Sequence, residues 1–214
     1  MPAEKALAAI LSDRTGFGEL LIQSTDSGGF ALCHRDDEQT QDLKVFRKPE
    51  NAIEIARYDD AGKYRPLKTA PNLKHGWRLE VVDLRELRHA LDYFYPGRLA
   101  ILASCTENQL STTPLRETLD RQSGMYRIAA KISDEQINEV VGEFCKSDGG
   151  CLRTILWKRD ATNSAPSTKL APEKFDPAHN QTGRSENSIP LLCQEACNLL
   201  VAQCRKAVRG DAEK

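Results

Sequence analysis

Two short apolar runs stand near the start of the chain, within Gly18–Gln23 and Gly29–His34. Both are extended in character and predict strands, and the turn formers Thr25-Asp26-Ser27-Gly28-Gly29 predict a hairpin between them. After Pro49 the pattern becomes helical, with Ala52, Ile53, Ile55 and Ala56 on one face before Asp59 and Asp60 end it. Ala61–Gly76, with its prolines, glycines and basic side chains, predicts a long ordered loop. Trp77–Val82 alternates, with Trp77, Leu79 and Val81 on one side. Asp83 is placed to cap a helix whose apolar positions Leu84, Leu87, Leu91 and Phe94 recur at helical spacing until Pro96-Gly97 stops it.

A second half begins near Arg98. Thr113-Pro114 predicts the start of a helix through Leu119, and Met125–Ile132 reads as extended. Ser133 and Gln136 form a capping box for a helix that buries Ile137, Val140, Val141 and Phe144 and ends at Cys145. Leu152–Trp157 has the character of a strand. Residues 159–188 are rich in Pro, Ser, Thr and Asn with little to bury, which predicts a mobile surface excursion. Pro190 is read as opening a final helix to about Val208. The expected fold class is α+β, as two small subdomains over residues 1–100 and 101–214, with the cysteine site in the second. Nothing between Pro96 and Ser104 resembles a flexible linker, so the two share a core in this reading.

Charge narrows the partners. Thirty Lys and Arg nearly balance 31 Asp and Glu, giving a net charge of −1. That leaves no basic face for nucleic acid and no polybasic patch for a membrane surface. The apolar runs are too short to span a bilayer, and the first residues make a poor signal peptide, so the expected location is cytoplasmic.

Seven cysteines are an odd number at uneven spacing, a poor disulfide framework. Four form two pairs. Cys145 and Cys151 flank a turn containing Gly149-Gly150, and Cys193 and Cys197 stand four apart in the predicted final helix, with both sulfurs on one side. Four converging thiolates need a cation, and the choices are Zn²⁺ and an iron–sulfur cluster. A five-residue gap is loose for a zinc knuckle but suits a larger cluster, whose negative charge is favoured at a helix N-terminus. Cys33 and Cys204 read as structural, while Cys105, in a loop by this reading, remains an alternative ligand. His34, His75, His89 and His179 show no metal-site spacing along the chain.

Several segments carry a resemblance. Tyr58–Leu73, Leu115–Arg127, Gly150–Trp157 and Cys193-Gln194-Glu195-Ala196-Cys197 resemble the C-terminal region of large CbiX-type sirohydrochlorin cobaltochelatases. In that family a small stabilising domain precedes a [4Fe–4S]-binding domain. The resemblance implies a [4Fe–4S] cofactor held by Cys145, Cys151, Cys193 and Cys197. It implies a free-standing form of the accessory region, without chelatase modules, that is non-catalytic. Redox or sensing work would then be linked to tetrapyrrole, cobalamin or siroheme metabolism, with a sirohydrochlorin chelatase or another tetrapyrrole enzyme as partner.

Lys63, Arg65, Lys68, Lys74 and Arg78, beside Tyr64 and Trp77, would suit a polycarboxylate tetrapyrrole or an acidic partner. The bland alternative is a solvated charged loop over a buried Trp77. Arg153, two residues after Cys151, would tune a cluster by its charge. The competing functions are a zinc-stabilised interaction module without redox function and a radical cluster enzyme. The latter lacks a three-cysteine motif.

Overall fold

The computed structural model describes residues 3–11, 15–65, 72–107, 109–145, 151–157 and 187–212. In chain order the elements are α1 (Ala3–Leu11), β1 (Gly16–Phe17), β2 (Leu20–Ser24), β3 (Phe30–His34), β4 (Lys44–Phe46), α2 (Asn51–Arg57), β5 (Trp77–Val81) and α3 (Leu84–Phe94). Then follow α4 (Arg98–Thr106), α5 (Leu115–Asp120), α6 (Asp134–Phe144), β6 (Thr154–Ile155), β7 (Ser188–Ile189), β8 (Leu192–Cys193) and α7 (Asn198–Ala212). Two 3₁₀ segments, Arg35–Asp37 and Gly124–Lys131, complete the list. The α+β class is as expected.

The hairpin forms where the two apolar runs and the turn formers between them place it: β2 and β3 pair antiparallel from Leu20↔His34 to Ser24↔Phe30. β5 adds to the other side of β3, burying Trp77, Leu79 and Val81 and leaving Arg78 and Glu80 half-buried. The sheet order is β4-β5-β3-β2-β1-β7. Its last strand comes from the far end of the chain, since Gly16 pairs with Ser188 and Phe17 with Ile189. Gly16 permits this contact, because a Cβ there would meet the Ser188 side chain at about 2.5 Å. α3 starts as expected, with the Asp83 carboxylate accepting the Glu86 amide at 2.8 Å, a cap worth about 1 kcal/mol. It buries Leu87, Leu91 and Phe94, and Phe94 stacks on Trp77 with ring centroids 5.2 Å apart.

Two cores result. The first joins the sheet to α2, α3 and α4, and takes Leu152, Leu156, Ile189, Leu191 and Leu192 from the second half. The second gathers Leu115, Leu119, Ile137, Trp157, Leu200 and Val201, with Cys193 and Cys204. The small parallel pair β6–β8 stands between them. Strand alternation sends Leu192 into the first core and Cys193 into the second. α4 runs across residue 100 and contributes Leu99, Leu102 and Cys105 to the first core.

Several expectations are corrected. Cys105 lies in helix α4, buried, rather than in a loop. Gly124–Lys131 is 3₁₀ rather than extended; the Tyr126 ring lies under the Arg205 guanidinium of α7 at 4.7 Å. The final helix starts at Asn198 instead of Pro190, because the backbone of residues 188–193 pairs with β1 and β6. Arg65 does not belong to an exposed basic loop. Its guanidinium is fully buried, 3.5 Å from Glu19 Oε2, and its Nε donates to Asn72 Oδ1 at 2.6 Å. Burial lowers the Arg65 pKa, while Tyr95 and Glu19 hold the charge in place. Lys68 and residues 159–186 lie outside the described residues. Among the described residues no helix is long and apolar enough to cross a membrane.

Candidate iron–sulfur centre

Each of the four cysteines is delivered by a different local device. The capping box at the start of α6 forms in full, with Ser133 Oγ accepting the Gln136 amide and Gln136 Oε1 accepting the Ser133 amide. The helix therefore begins at a fixed residue and, eleven residues later, ends with Cys145 as its C-cap. Cys151 is buried on the approach to β6. Cys193 is carried by β8 opposite Ile155, held by the Leu156 amide donating to the Cys193 carbonyl at 3.0 Å. Cys197 immediately precedes α7 and accepts its first intrahelical bond, from the Val201 amide at 3.1 Å.

Cys193 and Cys197 therefore do not share a helix face. A strand and a helix start present them, and of the two only Cys197 adjoins the N-terminus of α7, where free amides and the positive dipole end lie.

The sulfurs lie within electrostatic reach of one another. Burial drives the Cys145 thiol far up, and repulsion from Cys151, Cys193, Cys197 and Cys204 adds to it. Burial also raises Cys193, with Cys151 and Cys197 adding, while a hydrogen bond from Trp157 and the charge of Arg153 oppose the rise. That bond runs from Trp157 Nε1 to Cys193 Sγ at 3.2 Å, between fully buried groups. The Cys193 thiol in turn donates to the Glu195 carbonyl at 3.1 Å. Thiols held protonated in this way need a cation to release their protons.

Positive charge surrounds the group. Arg98 anchors to the Leu192 carbonyl at 2.8 Å. Burial lowers its pKa and Arg153 adds to that, while Cys193, Cys151 and Cys197 favour its charge. Arg98, Arg153, Glu195 and Cys197 line a cleft of about 260 Å³. Arg153 Nε is buried and has no hydrogen-bond partner among the described residues. Cys204, two turns along α7, is fully buried in the second core. Cys33 is likewise buried, in β3.

Family models match both halves: the DR2241 stabilising domain over residues 4–106, and the 4Fe-4S iron-sulfur cluster binding domain over residues 107–206. The chain is a DR2241 stabilising domain followed by a 4Fe-4S cluster-binding domain. The crystal structure of DR2241 from Deinococcus radiodurans superposes on it with a TM-score of 0.76 at 28% identity. That protein is described as multi-domain, with structural similarity to chelatases and two additional novel domains. The match covers 97% of this chain and 41% of DR2241, so the chain spans well under half of its relative. No match was found among curated proteins.

The donor set fits the cofactor of the cluster-binding domain. Four thiols, an N–H aimed at one of the sulfurs and a buried guanidinium N–H without a partner among the described residues make a site for an anionic, sulfur-ligated group. Among the described residues no three of the sulfurs lie within 4.8 Å of one another. The edges of a tetrahedral zinc–thiolate site are about 3.8 Å, from bonds of about 2.3 Å.

Sequence reading missed two groups. In the sequence Arg98 marks only the start of the second half, and only the fold carries it to the Leu192 carbonyl of β8. Trp157 was legible as a strand residue, but its partner Cys193 was assigned to a helix.

Proposed function

We propose that Cys145, Cys151, Cys193 and Cys197 ligate the [4Fe–4S] cluster, and that the chain works as a redox or sensing accessory to a tetrapyrrole enzyme. The observation that carries this reading is the mutual electrostatic influence of the four thiols, two buried and two half-buried, with Arg98 within reach of three of them and Arg153 beside Cys193. A bound cluster supplies one-electron chemistry. The residues here do the rest. Trp157 holds Cys193 in one orientation, the second core shields Cys193, and the two arginines offset negative charge on the ligand set.

The tetrapyrrole link draws support from the chelatase-like description of DR2241. Lys63 and Lys74 are the groups of the basic segment that would meet an acidic partner or a polycarboxylate tetrapyrrole, since Arg65 is buried. Single Cys→Ala variants test the ligand set in anaerobically prepared protein. Loss of iron and sulfide in all four, with retention in Cys33→Ala and Cys105→Ala, is the expected result. Full retention in any of the four would remove that residue from the set. A reversible one-electron signal in a redox titration followed by electron paramagnetic resonance is expected for the redox role; a cluster that cannot be cycled would refute it.

A further inference from the structure

The stabilising domain brings together two histidines that the sequence keeps far apart. His34 closes β3 and His75 precedes β5, and the antiparallel register, with Cys33 opposite Arg78, sets both at one end of the sheet. Their ring centroids are 3.8 Å apart. Asp36, in the 3₁₀ segment after β3, completes a set in which one ligand atom from each residue lies within 4.8 Å of the other two.

The ring nitrogens have assigned roles. His34 Nδ1 accepts the Asp36 amide at 3.1 Å, so its proton sits on Nε2, which faces Glu19 Oε1 at 3.8 Å. His75 Nδ1 lies 3.3 Å from Asp37 Oδ1, and in the tautomer with its proton there Nε2 carries a lone pair. Nε2 lies 3.7 Å from Asp60 Oδ2, and His34 Nδ1 stands 3.7 Å from Asp36 Oδ2. A lone pair facing a carboxylate oxygen is repulsive; a second ring proton or a metal cation between the two relieves it. The two outer carboxylates are fixed in turn: Glu19 Oε2 accepts the Leu73 amide, and Asp37 Oδ2 accepts the Gly76 amide, both at 2.8 Å. An imidazole oriented through one nitrogen by an anchored carboxylate, with the other nitrogen turned to the metal, is the usual arrangement of a metal site; His75 is set up in this way, and His34 Nδ1 would exchange its bond from the Asp36 amide for the cation.

The geometry points to a divalent transition-metal site formed by His34 Nδ1, His75 Nε2 and an Asp36 oxygen, with Asp60 or water closing the coordination. Imidazole donors select borderline cations such as Zn²⁺ or Co²⁺ over Mg²⁺ or Ca²⁺. A tetrahedral site with bonds of about 2.1 Å has edges of about 3.4 Å. Asp36 and His75 are exposed and free to close the remaining gap, while His34 is buried and fixed. Two neutral imidazoles packed at a tilt of 47° would account for Glu19 and Asp37; the further carboxylates, Asp36 and Asp60, suit a cation, whether metal or imidazolium, and titration with Zn²⁺ separates the two.

The test uses the full chain with its cluster loaded, so that the cysteines are occupied. Zn²⁺ is titrated calorimetrically under anaerobic conditions, and the product is examined by zinc-edge X-ray absorption. One zinc per chain beyond the cluster iron is expected, with a nitrogen and oxygen shell and no sulfur. His75→Ala and Asp36→Asn should each weaken binding by at least about 10- to 100-fold, the scale seen for a lost outer-shell partner. Iron and sulfide content and Tm should not change. No uptake by the wild type, equal uptake by both variants, sulfur in the zinc shell, or equal competition by Mg²⁺ would each overturn the site.

Discussion

Trp157→Phe isolates the N–H···S contact at the candidate centre. The indole is fully buried in the second core and donates to Cys193 Sγ at 3.2 Å. Phenylalanine keeps an aromatic ring in the same pocket and removes only the donor and part of the ring. A hydrogen bond to a charged acceptor is worth about 1.5–3 kcal/mol. Reduction adds one electron delocalised over the whole cluster, so only part of that strength changes between oxidation states, about 1 kcal/mol. For a one-electron couple 59 mV corresponds to about 1.4 kcal/mol, so the variant's reduction potential should fall by about 40 mV. The fall follows because the donor stabilises the more negative, reduced state. A redox titration monitored by electron paramagnetic resonance, on protein of unchanged iron and sulfide content, reads the shift directly. An unchanged or raised potential in a fully loaded variant would refute the role of Cys193 as a ligand with Trp157 as its donor.

Other expectations rest on separate contacts. Arg153→Met removes a positive charge next to the cysteines and should lower the potential in the same direction, with weaker cluster retention on dilution. Burial pushes the Cys204 thiol from its ordinary 9.0 up to about 11. Because this folded pKa is raised, its contribution is intact below pH 9 and is lost as pH climbs toward 11. The cluster-free chain should lose about 3 kcal/mol more over that interval than Cys204→Ala, as denaturant unfolding would measure. Tyr95→Phe leaves the buried Glu19 amide without its 2.8 Å acceptor and should cost about 1–3 kcal/mol in the same assay. Gly18→Ala should be worse tolerated, since the backbone there has φ +64° and a Cβ would strike the Tyr95 ring.

Local signals were read well where local chemistry decides. The β2–β3 hairpin, the alternation of buried and half-buried positions along Trp77–Val81 and the caps at Asp83 and Ser133 depend on residues within a few positions of one another, and all four form. The misreadings share a different origin. Pro190 suits the first turn of a helix, yet Leu192–Cys193 pairs with Thr154–Ile155, and Ser188–Ile189 just before it pairs with Gly16–Phe17, all far away in the chain. Two-residue strands carry no periodicity, so only tertiary pairing defines them. The cysteines were legible as a chemical set, but which element presents Cys193 was not. Arg65 read as a surface cation because nothing near it in sequence announces Glu19, its buried counter-ion. His34 and His75 looked scattered for the same reason, since sheet register and not spacing brings them together.

The most direct test is the inorganic content of the anaerobically purified chain. About four iron and four acid-labile sulfide per chain, with zinc far below one, is the result predicted. A chain carrying one tightly bound zinc on its cysteines and no sulfide would contradict the account.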